Sequence, residues 1–207
     1  MEIDKIFIIN LDYRTDRKEH IINEMNKHNI TNYEFYTAIK PKIEDVYKWN
    51  LNYCNNHIDN YKIGQFGCLT SHIEILKIAL ARNYNTILIL EDDVLFKDDY
   101  NKIFEYSNQI NNNYDILYLS GSHINPFTNI TTNIKKCTQT YTTHSYLIKK
   151  NIINYILDNI NNCITEVDVF YANHLQPKFN CYVTYPHITT QIPSFSDIQN
   201  KNVTYNL

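Results

Sequence analysis

Thr86 to Phe96 reads TILILEDDVLF: a strand-length apolar run that stops on three consecutive carboxylates, Glu91, Asp92 and Asp93. An unbroken apolar run, without the alternation of a half-exposed strand, belongs in a sheet covered on both faces. Just upstream, Phe66–Arg82 carries Leu69, Ile73, Leu76 and Leu80 at helical spacing and ends at Asn83–Asn85, so the stretch is the strand of a helix–strand unit. The pattern repeats on either side. Lys5–Leu11 (KIFIINL) reads as a strand, Ile21, Ile22 and Met25 mark one face of a helix, Tyr33–Thr37 alternates as a short strand, and Ile43–Tyr53 is irregular or a short helix. After the acids, Asp98 and Asp99 are placed to cap a helix bearing Ile103 and Phe104, and Asp115–Leu119 (DILYL) is a further strand. A β-rich stretch at Gln139–Ile148, helices at Ile152–Leu157 and Val167–Leu175, and a strand at Cys181–Thr184 complete the chain. Alternating strands and helices predict an α/β sheet, parallel in its first half, with ligands gathering at the carboxyl ends of the strands.

A chain of 207 residues is expected to be one domain with a sizeable core. A formal net charge of -3 with the signs interspersed gives no basic stripe for nucleic acid and no basic amphipathic helix for a membrane surface. No signal peptide is recognised, and no apolar run approaches the roughly 18 residues of a transmembrane segment, so a cytoplasmic protein is expected. The five cysteines, Cys54, Cys68, Cys137, Cys163 and Cys181, are scattered without a CxxC pair, which indicates neither a disulfide framework nor a zinc site but reduced thiols. In that setting the sequons at Asn29, Asn129 and Asn202 carry no glycan. Only 3 glycines occur against an average share of about 7%, while Asn is heavily used, a bias that AT-rich codons such as those of a virus or protist would produce. The Asn runs, such as Asn111–Asn113, read as loops, and no internal repeat is present.

Adjacent carboxylates at a core edge repel one another and lose hydration, so they need a cation or hydrogen-bond donors. A hard divalent ion, Mg²⁺ or Mn²⁺, suits oxygen ligands and leaves positions for a substrate's phosphates. The plainer alternative is that Asp92 and Asp93 open a solvated loop or cap a helix. A phosphorelay receiver also opens ILILEDD-like, but here about 85 residues precede the strand and DILYL ends in Ser120 instead of an acceptor Asp. Neither GxxxxGK[ST] nor GxGxxG occurs.

Five blocks in order, IINLDYRTDR, GQFGCLTSHIEILKIAL, ILILEDDVLF, THSYLI and EVDVFYANHL, resemble glycosyltransferase family 25, which includes bacterial lipooligosaccharide and collagen galactosyltransferases. The resemblance runs from about Ile6 to Ile198. It implies a GT-A fold, a mixed, mostly parallel sheet flanked by helices. Residues 1–207 would form a single unit, 1–120 the nucleotide-binding half and 121–207 the acceptor-side half. It further implies inverting transfer from a UDP-sugar, with Mn²⁺ or Mg²⁺, to a glycan or hydroxylated-protein acceptor.

By the same resemblance Glu91 and Asp93 take the acidic positions of a DxD-type metal motif, Asp93 first, with Asp92 facing the ribose or sugar. Asn10, Leu11, Arg14 and Arg17 match positions that line the nucleotide, and the planar fork of Arg17 suits a diphosphate. Either arginine has a solvated surface charge as its alternative reading. Thr37 and Ala38 match a small-residue position beside the base. In Gly67–His72 (GCLTSH), placed at a helix start, Ser71 and His72 project towards the site; the alternative is a cap and a packed helix face. Asp168 matches the acid expected to take the acceptor hydroxyl's proton, with Glu166 behind it, and a helix N-cap is its alternative role. Tyr146 matches an aromatic position, preceded by Ser145 where a smaller residue is usual. Gln191, Ser194, Ser196 and Asp197 resemble the family's tail, and His187 is a possible third metal ligand. A module that binds nucleotide sugar, glycan or protein without turnover is the competing functional reading.

Overall fold

The computed structural model describes residues 2–51, 60–126, 128–160 and 165–204; Tyr53, Cys54 and Cys163 lie outside them. In chain order the elements are β1 (Lys5–Asn10), α1 (Thr15–Lys27), β2 (Tyr33–Thr37), α2 (Ile43–Leu51), α3 (Asn60–Ala81), β3 (Thr86–Glu91), β4 (Val94–Phe96) and α4 (Lys102–Asn108). There follow β5 (Ile116–Tyr118), β6 (Ser122–His123), β7 (Thr128–Asn129), β8 (Ile134–Lys136), β9 (Thr140–Tyr141) and β10 (Ser145–Lys149). A 3₁₀ turn leads into α5 (Ile153–Ile160), then come α6 (Val167–Phe170), β11 (Cys181–Thr184), β12 (Thr189–Gln191), β13 (Ser194–Ser196) and β14 (Lys201–Val203).

Eight strands form the central sheet in the order β2-β1-β3-β10-β5-β11-β8-β7. From the pairings, β2, β1, β3, β5, β11 and β7 run one way, and only β10 and β8 run against them. The α/β class and the mostly parallel, helix-flanked sheet are therefore as the sequence predicts. Strand alternation builds two cores. Ile6, Ile8, Leu88 and Leu90 pack with Ile21 and Met25 of α1 and Ile103 of α4, while Phe7, Ile87 and Ile89 pack on the other face with Ile75, Leu76 and Ala79 of α3 and with α5. All four apolar positions of TILIL are thus used, which is why the stretch shows no amphipathic period.

Two boundaries differ from expectation. Helix α3 starts at Asn60, so Gly67–His72 lie mid-helix and not at a helix start. Glycine usually weakens a helix interior, but here packing offsets that cost: a Cβ on Gly67 would meet Pro41 at 3.1 Å, and one on Gly64 would meet Ile198 Cα at 2.7 Å. The helix expected at Val167–Leu175 is one α-turn, α6, continued by a π-helical turn at Tyr171–Leu175. Asp168 is consequently the second residue of α6, and Glu166 holds the N-cap position without a side-chain cap bond.

Among the described residues seven other than glycine have positive φ, and five of them are Asn: Asn29, Asn83, Asn111, Asn112 and Asn200. Asn is the L-residue best suited to that region. At Asn83 it closes α3, with the Tyr84 N–H donating to Ala79 O at 3.0 Å.

Candidate active site

The carboxyl ends of β1, β2 and β3 open onto a cavity of about 280 Å³. Its floor carries Leu11, Ala38 and the acids, one wall is the α3 face with Gly64, Cys68, Ser71 and His72, and another is the tail at Phe195–Ile198. The tail is a small antiparallel pair, β13 with β14, and a second pair, β4 with β12, secures the segment that follows the acids.

Glu91 ends β3, its N–H donating to His144 O at 2.8 Å. Asp92 accepts from Asn10 Nδ2 at 2.7 Å and from Arg17 Nη1 at 2.9 Å. Asp93 lies 3.2 Å from the same Arg17 nitrogen and accepts from Gln191 Nε2 at 3.2 Å, while its carbonyl takes the Ile192 N–H at 2.9 Å. One guanidinium therefore serves two carboxylates, with a third beside them. Burial first, and then the charges of Glu91 and Asp92, push the Asp93 carboxyl up to about 7 against the pull of Arg17. Burial also raises Asp92. At Glu91 burial works upward too, but His72, with His144 and Arg17 farther off, outweighs it and holds the carboxyl below its usual range.

Arg17 also donates through Nη2 to Ser194 Oγ at 2.7 Å and Phe195 O at 2.9 Å, joining α1, the acids and the tail. Arg14 pairs with Asp16 at 2.9 Å and with Asp197, and Tyr13 Oη donates to Asp197 Oδ1 at 3.0 Å. The Ser71 hydroxyl donates to Gly67 O at 2.7 Å, one turn back in its own helix. His72 is fully buried, with Nδ1 2.8 Å from Tyr146 Oη. Ser145 is accommodated by a bond of 2.6 Å between its hydroxyl and that of Thr189.

Asp168 accepts from the Thr142 N–H at 3.1 Å and the Val169 N–H at 2.8 Å. Burial pushes its carboxyl up in spite of these two donors. Thr142 has φ of 72°, an uncommon conformation for a β-branched residue, and its hydroxyl lies 3.2 Å from His144 Nδ1. Asp168 thus pins a strained loop and does not occupy the N-cap. Glu166 accepts from Gln65 Nε2 and from Thr165 Oγ1, the latter at 3.1 Å, linking α6 to α3.

The family model described as Glycosyltransferase family 25 (LPS biosynthesis protein) matches residues 3–171. The chain belongs to glycosyltransferase family 25. It is 30% identical over 165 residues to the procollagen lysyl hydroxylase and glycosyltransferase of Acanthamoeba polyphaga mimivirus, a match covering 70% of this chain and 18% of that protein. Procollagen galactosyltransferase 2 of Mus musculus is 25% identical over 131 residues, 58% of this chain and 21% of that one. The chain therefore spans about a fifth of the length of these two relatives. In fold it is similar to a glycosyltransferase involved in the glycosylation of the major capsid of PBCV-1, with TM-score 0.52 and 11% identity over 96% of this chain and 97% of that one. The sheet is accordingly of the GT-A-like kind.

Of the positions expected from family 25, Leu11, Arg17, Ala38, Ser71, His72, Glu91, Asp92 and Asp93 line one cavity. Asn10 lies behind the floor as the brace of Asp92, and Arg14 is engaged with Asp16 and the tail. Asp168 and Glu166 are not among the lining residues, although the charges of both Glu91 and Asp168 reach Cys68. His187 Nδ1 faces Thr184 O at 3.0 Å and its ring packs on His123. Tyr13 and Cys68 line the cavity without having stood out in the sequence, since their signal is position on an element and not motif. Among the described residues no helix is long and apolar enough to cross a membrane.

Proposed function

We propose that this chain transfers a hexose from a UDP-sugar to a hydroxyl of a glycan or hydroxylated protein, with inversion at the anomeric carbon and with Mn²⁺ or Mg²⁺. The observation that carries the reading is the acidic triplet at the end of β3, with Asp92 and Asp93 buried and Glu91 partly so, on a cavity floor beside one arginine. An Asp held near 7 by burial and like charge lacks positive charge, and the hard oxygen donors fit such an ion. Glu91 and Asp93 would hold it. When bound, the ion offsets charge on the leaving diphosphate as a Lewis acid. Arg17 adds a fixed positive charge beside that position, and Ala38 leaves room for a flat base. Asp168, raised by burial, has the proton affinity to accept the acceptor hydroxyl's proton. The names of the mouse and mimivirus relatives, a procollagen galactosyltransferase and a procollagen lysyl hydroxylase and glycosyltransferase, support a galactose donor and a hydroxylated protein as acceptor.

The test is sugar transfer and donor hydrolysis with Mn²⁺ and with EDTA, run on wild type and Asp168→Asn. Expected are ion-dependent turnover in the wild type and, in the variant, retained UDP binding with transfer lowered by roughly 10² to 10⁴. Normal transfer by Asp168→Asn removes it as the base, and Glu166→Gln, run in parallel, then decides whether Glu166 takes its place. The alternative of binding without turnover has one observation in its favour, that Arg17 already bridges Asp92 and Asp93. Mn²⁺-independent UDP binding with no hydrolysis would establish that alternative.

A further inference from the structure

We infer that Cys68, His72 and Glu91 form a mixed sulfur, nitrogen and oxygen site for a zinc-class ion, with its remaining position open to the cavity. Cys68 and His72 are four residues apart on α3, so both project from one face of the helix, and the end of β3 delivers Glu91 opposite them. The three donor atoms lie within 4.8 Å of one another, and all three residues line the cavity, which gives an ion a route in. Scattered cysteines without CxxC spacing do not announce such a site, because two ligands come from a helical turn and the third from a strand end.

A second, independent observation points to a ligand. His72 is 0% exposed and its Nε2 has no hydrogen-bond partner. Leaving such a group unsatisfied costs about 1–3 kcal/mol, so it calls for an explanation. Nε2 is 3.9 Å from Glu91 Oε1, too far for a hydrogen bond. It is close to the edge of a tetrahedral zinc polyhedron, about 3.3–3.8 Å for metal–ligand bonds of about 2.0–2.3 Å. The other ring nitrogen has its own partner: Nδ1 lies 2.8 Å from Tyr146 Oη, to which it donates in the Nδ1–H tautomer, and Tyr146 Oη lies 3.3 Å from Tyr171 Oη. With Nδ1–H held on Tyr146, an incoming ion would displace any proton from Nε2 and take up its lone pair, the outer-sphere arrangement that fixes metal-binding histidines. Thiolate, imidazole and carboxylate together select Zn²⁺ or Co²⁺ over Mg²⁺, whereas the Asp93 side of the triplet offers oxygen alone. The site shares Glu91 with the Glu91–Asp93 position proposed for the transferase ion, but it is argued from Cys68 and His72 and its readout is not activity.

The probe is Co²⁺ added to protein stripped with EDTA. Expected are tetrahedral visible bands and a thiolate-to-cobalt charge-transfer band in the near ultraviolet, both abolished by one equivalent of Zn²⁺. Cys68→Ser should lose the charge-transfer band, His72→Ala should weaken Co²⁺ binding at least tenfold, and Asp93→Asn should keep the full spectrum. A wild-type complex without the charge-transfer band, or a band that survives Cys68→Ser, overturns the assignment. Should the variants fail to fold, X-ray absorption of the Zn²⁺-loaded wild type decides. One sulfur at about 2.3 Å with nitrogen or oxygen at about 2.0 Å supports the site, and a shell without sulfur refutes it.

Discussion

Asp93 has Arg17 on one oxygen and Gln191 on the other, yet its carboxyl is pushed up to about 7 from an ordinary value of 3.8. Between those values the folded protein keeps a proton that the unfolded chain has lost, so stability falls as pH rises through this window, and the deficit is complete above about 7. Glu91 acts in the opposite sense, since its lowered carboxyl contributes stability above its unfolded range and loses it as pH falls. Comparing wild type with Asp93→Asn isolates the first effect. The variant should melt a few degrees higher at pH 8, on the order of 1–2 kcal/mol at roughly 2–4 °C per kcal/mol for a chain of this size, with the gap closing towards pH 4.5. Calorimetry at both pH values checks this, and a gap that stays constant would mean that the buried charge is not its source. The same substitution should abolish ion-dependent UDP binding, so stability and binding move in opposite directions.

At the scale of elements the tail pair β13–β14 matters most, because it walls the cavity while three residues at the start of α1 hold it. Tyr13, Arg14 and Arg17 all bond to it, and bare Gly64 admits Ile198 against α3. A methyl at Gly64 would lie 2.7 Å from Ile198 Cα, which is backbone and cannot turn aside. Gly64→Ala should therefore release the tail even as it favours the helix by about 1 kcal/mol. Limited proteolysis is expected to cut the tail sooner and UDP to bind about tenfold more weakly, and an unchanged digest would show that the tail does not depend on this contact. Such three-residue strands also mark the limit of what the sequence discloses. Lys5–Asn10 and Thr86–Glu91 are legible because six positions display burial on both faces, while Ser194–Ser196 and Lys201–Val203 are too short to show a period. The acids stand out from their place at a strand end, and Arg17 and His72 only through their match to family blocks; all of them line the cavity. That Arg17 would grip the acids, that Asp168 would pin Thr142, and that Cys68 would face Glu91 depend on side-chain directions between distant elements.

For the molecule as a whole, β3 is the member on which the rest leans, bonded to β1 on one side and β10 on the other and buried on both faces. Leu88 at its centre is 0% exposed. Leu88→Ala should cost about 2–5 kcal/mol, read as a lower urea midpoint with unchanged slope, and a loss under 1 kcal/mol would mean that the core around it collapses to fill the space. The backbone carries one more message at this scale. Among the described residues, five of its seven left-handed positions use Asn where most chains use glycine, and the 3 glycines are all elsewhere. At each of them an added Cβ would strike another segment: Ile198 at 2.7 Å from Gly64, Pro41 at 3.1 Å from Gly67, and Thr140 at 2.6 Å from Gly121. A genome whose base composition disfavours glycine codons can hand conformational duties to Asn. It cannot replace an absent atom. Glycine in this chain is thus a register of the places where separate segments touch, and two of the three survivors lie where α3 walls the cavity.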